Sequence, residues 1–145
     1  MNRQSITAEV AEDAEALTRL TEAVIGAAME VHRALGPGLL ESSYEMCLSH
    51  ELSLRGIPFQ RQVPVALQHK SVRLDCGYRA DFIVAGGLLL ELKSIESLLP
   101  IHDAQLLSYL RLTGCKVGLL INFNVQLLKH GIRRRVLGLN EFASF

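Results

Sequence analysis

Neither sign of charge is in excess: 15 Lys and Arg stand against 15 Asp and Glu, for a formal net charge of zero. A surface that grips a polyanion therefore cannot come from overall charge and has to be built locally. Cysteine is scarce, and Cys47, Cys76 and Cys115 lack any paired spacing. That pattern fits a reducing compartment and offers no zinc ligand set. No apolar run reaches membrane-spanning length, and there is no internal repeat or low-complexity tract. Glu9, Glu12, Asp13 and Glu15 make the N-terminal stretch unlike a signal peptide or a basic targeting helix, so a cytoplasmic location is the expectation. What remains is a chain of 145 residues, 49% hydrophobic and 21% charged, enough for one globular domain with a real core. Residues 1–16 read as a polar lead-in and residues 17–145 as that single domain.

The stretch from Tyr78 to Ser94 organises the rest. Two strand-like apolar runs flank Gly86-Gly87, a strong hairpin signal because tight turns require positive φ. Three charged residues interrupt them: Asp81 in the first run, Glu91 and Lys93 in the second. Glu91 and Lys93 are two apart, so on a strand they share a face. Charges on the inner face of a buried strand are costly unless paired. A second carboxylate and a divalent cation would remove that cost. The pleat sets a condition. With a two-residue turn Asp81 lies opposite Leu92 and points away from Glu91; with a three-residue loop over Ala85 to Gly87 it lies opposite Glu91. A shared metal predicts the odd-numbered loop or a bulge. The plainer alternative is an ordinary hairpin with Glu91 and Lys93 paired to each other.

Upstream, Leu20, Val24, Ile25, Ala28, Val31 and Leu35 recur at helical spacing within residues 17–35, and Gly36-Pro37-Gly38 ends that helix. A second helix is expected from about Leu39 to Arg55, with Leu40, Tyr44, Cys47, Leu48 and Leu52 as its buried stripe. Glu41 falls in its first turn, where the helix dipole alone explains a carboxylate, or where it could project into a cleft. Ile57 to Leu67 alternates like a strand, Gln68 to Ser71 turns the chain, and Val72 to Asp75 returns. After the hairpin, Pro100 suits the start of a helix stopped by Gly114, Lys116 to Phe123 reads as a buried strand, and Ile132 to Leu137 as a last or edge strand. The helix between hairpin and buried strand is a crossover, so the sheet is expected to be mixed.

Gln105 and Tyr109 are four apart and share a helix face, which packing on the sheet would bring toward Lys93. Asp81, then Glu91-Leu92-Lys93, then Gln105 with Tyr109 resembles the PD-(D/E)XK nuclease superfamily. The Gln-x-x-x-Tyr element looks like that of its RecB-like branch. Gly38-Leu39-Leu40-Glu41-Ser42-Ser43-Tyr44 matches the signature of the superfamily's GxxExxY family, and residues 31–38, 56–59 and 118–123 look similar too. One departure is Ala80, which stands where the superfamily's name has proline.

The resemblance implies an α/β, restriction-endonuclease-like core: a mixed central sheet flanked by helices. It also implies Mg²⁺, with Mn²⁺ as a substitute, held by Asp81, Glu91 and the Leu92 carbonyl, with Glu41 as a further ligand or as the holder of a metal-bound water. Lys93 would position the attacking water or stabilise developing charge, and Gln105 and Tyr109 would orient the site or contact phosphate. The implied partner is nucleic acid, DNA first, and no membrane; a second copy of the chain would help so small a fold grip a duplex. Tyr109 could equally be core, Gln105 could satisfy a buried carbonyl, and His32 and His102 suit structural roles. Arg133 to Arg135 is the best local candidate for phosphate contact, or else a solvated run. The competing function is a non-catalytic binding or assembly module that keeps the nuclease fold and serves a larger DNA-processing partner.

Overall fold

The computed structural model describes residues 14–138. Helix α1 (Ala14–Leu35) buries Leu17, Val24, Ala28 and Val31 on one stripe. Thr21 is buried on the same stripe, and its hydroxyl is satisfied by the Leu17 carbonyl at 2.8 Å. The helix begins three residues ahead of the expected start; the rest of the lead-in lies outside the described residues. Helix α2 (Glu41–Leu54) buries only Tyr44, Leu48 and Leu52, a narrow ridge at spacing four. Leu40 and Cys47, expected in that stripe, are exposed. Leu40 is the extended residue before the first turn, so helical periodicity does not aim it. Cys47 is three positions after Tyr44 and falls just off the ridge.

Seven strands follow: β1 (Phe59–Pro64), β2 (Leu67–His69), β3 (Val72–Leu74), β4 (Arg79–Val84), β5 (Leu88–Lys93), β6 (Val117–Asn122) and β7 (Ile132–Val136). Helix α3 (Pro100–Thr113) crosses between β5 and β6. The main sheet has the order β1-β4-β5-β6-β7, while β2 and β3 pair as a separate two-stranded arm. The single strand expected over Ile57 to Leu67 is thus split between sheet and arm. Only β5 and β6 are parallel, as a crossover helix requires; the other sheet pairs are antiparallel.

The sheet is covered on both faces. Helices α1 and α2 pack on Phe82, Val84, Leu88, Leu90, Leu92, Leu119 and Ile121. On the other face α3 packs on Ala80, Leu89 and Leu120 through Leu106, Tyr109 and Leu110. Every residue of β6 is buried, which accounts for its unbroken apolar run. Gly118 in that strand marks the closest approach of α3: a Cβ there would stand 2.9 Å from Leu106 Cδ1. The last strand is an edge, and its charged residues discourage further pairing.

Candidate active site

The β4–β5 register pairs Phe82 with Leu90, Ile83 with Leu89 and Val84 with Leu88. The loop is therefore the three residues Ala85 to Gly87, the odd count that a shared face demands. Positive φ at Ala85 (48°) and Gly86 (71°) turns the chain, and Gly87 N–H donates to the Val84 carbonyl at 3.0 Å. Continuing that register sets Asp81 opposite Glu91, and the ladder stops there. Leu92 N–H donates to the Asp81 carboxylate at 2.8 Å instead of to the facing strand. On the other side β1 pairs Arg61 with Phe82 and Val63 with Ala80, skipping Gln62. Gln62 carries a strained φ of 49°, and its side-chain amide donates to Glu45 at 2.8 Å and to Asp81 at 3.3 Å. Asp81 thus sits in a gap in both neighbouring ladders, with donors on both carboxylate oxygens.

Glu91 is buried, at 6% exposure. Burial, the hydrogen bond it shares with the Asp81 side chain and the Asp81 charge push it up from 4.5 to about 10, against the opposing pull of Lys93. At neutral pH its carboxyl holds the proton that the pair shares. Glu41 reaches the same group from the start of α2. Desolvation raises it first and the Asp81 charge second; Lys93 acts in the opposite sense and Glu45 adds to the rise. Its position depends on the preceding loop. The Tyr44 hydroxyl donates to the Gly36 carbonyl at 2.6 Å and accepts from Leu39 N–H at 3.2 Å, while its ring stacks on Phe123 at 4.4 Å. Gly38 supplies the loop's φ of +95°, and Ser94, just past β5, donates to the Leu39 carbonyl at 2.5 Å. The start of α2 is thereby fastened to the end of the strand that carries Glu91 and Lys93.

Tyr109 on α3 is held above its ordinary range, first by burial and then by the Glu91 charge, with Gln105 lowering it. Gln105 donates to the Tyr109 hydroxyl at 3.2 Å. Gln105 is thereby linked to Tyr109, on which the Glu91 and Asp81 charges act. The structure brings Asp81, Glu91, Lys93 and Glu41 into one electrostatic group with Tyr109 beside it. Among the described residues no group of three or more His, Cys, Asp or Glu side chains is already gathered as a metal cage.

The outlying candidates fall into structural roles. His32 donates from Nε2 to the Val125 carbonyl at 2.8 Å, and His102 Nδ1 accepts from Leu99 N–H at 2.9 Å to cap α3. Arg133 and Arg135 both pair with Asp103 of α3, at 2.6 and 2.8 Å. Two of the three arginines proposed for phosphate contact thus share a single acid on the neighbouring helix, which offsets part of their charge. Glu45, Gln62 and Asn122 had not been singled out from sequence. Asn122, 2% exposed, accepts from Ile95 N–H at 3.1 Å and donates to the Ile95 carbonyl at 3.0 Å, holding the chain just beyond Lys93. The one sequence hint was Glu45, four positions after Glu41 on the same helix face.

A mixed five-stranded sheet between helices, with an acidic pair and a lysine at a gap in its central hairpin, defines a restriction-endonuclease-like domain. The chain belongs to the PD-(D/E)XK nuclease superfamily, whose family model matches residues 18–135. It has no significant match among curated proteins or solved structures. Nucleases of this superfamily generally use divalent metals. Among the described residues no helix is long and apolar enough to cross a membrane.

Proposed function

We propose that this chain is a divalent-metal-dependent nuclease of the GxxExxY family, hydrolysing phosphodiester bonds in nucleic acid, DNA first. One observation carries the reading: the hairpin register sets Asp81 opposite the buried Glu91, and burial together with Asp81 pushes Glu91 up to about 10. Two carboxyls in contact resist joint ionisation unless a cation joins them. Hard oxygen donors of this kind suit Mg²⁺, with Mn²⁺ as a substitute. Asp81, Glu91 and the Leu92 carbonyl would hold the ion, and Glu41 would support the set from α2. A bound Mg²⁺ supplies charge neutralisation at the phosphate and a lower pKa for water.

The remaining chemistry belongs to the chain's own groups. Lys93 acts electrostatically on both Glu91 and Glu41, and its ammonium would stabilise the charge that develops on phosphate oxygen. The Tyr109 hydroxyl accepts from Gln105, which leaves its own proton for an oxygen acceptor such as phosphate. Its raised pKa keeps that proton in place at neutral pH. Family membership at the GxxExxY level is supported by a distinct task for each signature residue. Gly38 turns the loop, Glu41 is raised by burial and by the Asp81 charge, and Tyr44 ties the loop down. The competing reading, a binding module without chemistry, draws on the lack of a ready three-ligand cage among the described residues.

The test is incubation of the full chain with single- and double-stranded DNA and Mg²⁺ or Mn²⁺, beside Asp81→Ala, Lys93→Ala and a chelator control. The wild type should cut, the chelator should stop it, and each variant should be slower by about 10²–10³-fold. Equal rates in both variants and the wild type overturn the mechanism. Binding without cutting in the presence of metal favours the module.

A further inference from the structure

Asp103 ties Arg133 and Arg135 to α3, and a neutral chain that holds a strand of nucleic acid along its length draws on basic features elsewhere as well. A cavity of about 440 Å³ lies between the β2–β3 arm and the C-terminal turn of α3. Arg73 and Gln68 form the arm's wall; they are register partners on adjacent strands and both are exposed. Arg111 and Thr113 form the helix wall, and Val63 and Ile83 line the cavity from the sheet. None of its lining residues is acidic. Val63 and Ile83 pack on the α3 side of the sheet, and Ile83 is two residues from Asp81, so the cavity opens on the carboxylate's own face. Tyr78, half exposed, accepts at its carbonyl from the N–H of the cavity-lining Val65 and sets its ring edge-on to Tyr109 at 6.2 Å. A helix C-terminus carries partial negative charge, which Arg111 offsets, so the donors of the arm set the sign of the cavity.

We propose that this cleft, with Arg73 as its principal cation, seats a backbone phosphate of the substrate strand as the strand leaves the carboxyl pair. The assignment rests on the nuclease reading and adds to it the element that tracks the strand. Guanidinium and amide donors suit phosphate oxygens, and the exposed Tyr78 offers a face for a base on the way.

The experiment measures binding of a fluorescein-labelled single-stranded oligonucleotide to the full chain in chelator, over about 50–200 mM salt. Arg73→Gln should weaken binding several-fold, and the slope of log K against log salt should become shallower by about 0.7. Arg73→Lys should keep the slope, since it keeps the charge. Lys129→Gln, the same charge change at an exposed position beside α1 and away from the cleft, should leave affinity and slope at wild-type values. Thermal melts of all three should match the wild type. A wild type that binds while Arg73→Gln matches it in affinity and slope overturns the cleft and leaves the nuclease reading intact. A wild type that neither binds nor cuts overturns both.

Discussion

Asp81 bears the heaviest set of demands of any single residue. It accepts from Leu92 N–H and from Gln62, and it shares a hydrogen bond with Glu91. Burial first, and then the Asp81 side chain, push Glu91 up to about 10, so Glu91 carries a proton at neutral pH. That arrangement has a stability consequence when no cation is present. The Glu91 carboxyl ionises near 4.5 when unfolded but near 10 when folded. Its stabilising contribution is complete below the unfolded value and is lost as pH rises toward the folded one. The slope approaches about 1.4 kcal/mol per pH unit for one proton. Glu91→Gln keeps the shape and a donor toward Asp81 without the titration. In chelator it should melt with the wild type at pH 4 and above it at pH 8. Melting curves that shift in parallel across this range would contradict the assignment of the proton to Glu91.

At the scale of elements, the decisive features are the odd-numbered loop of the β4–β5 hairpin and the fastening of α2. The loop was legible in sequence because parity admits few answers: two carboxyls on one face of an antiparallel pair require an odd connection. The fastening was not. Tyr44 sits in an apolar stripe, and nothing in its spacing announces that its hydroxyl bends back to Gly36. Tyr44→Phe keeps the stack on Phe123 but leaves the Gly36 carbonyl and Leu39 N–H without this partner. It should lower stability by about 1 kcal/mol. It should also lower the cleavage rate through Glu41, and the same change in a Glu41→Gln background should cost no further rate. Independent, multiplying effects in this double-variant cycle would show that the loop does not act through Glu41.

Across the whole molecule, charge balance hides strong local asymmetry. The run Arg133 to Arg135 is tied to α3 in a way a sequence cannot show: Arg133 pairs with an acid 30 positions away, and Arg135 with the same acid. Gln62 was equally hidden, since its amide meets Asp81 and Glu45 only once β1 stands beside both the hairpin and α2. The order of helices and strands, the mixed sheet and the acidic hairpin were readable from periodicity and turn chemistry. Side-chain pairings between distant elements were not. The β2–β3 arm illustrates the division: its turn was legible, but its role as the wall of a basic cleft depends on where α3 ends.

The account depends on the Asp81–Glu91 pair as the holder of a divalent ion. Titration of the full chain with Mn²⁺, followed by calorimetry at neutral pH, tests this directly. One ion should bind per chain, Asp81→Asn should abolish the binding, and Mg²⁺ should compete for the same position. No binding by the wild type, or binding that survives Asp81→Asn unchanged, would contradict it.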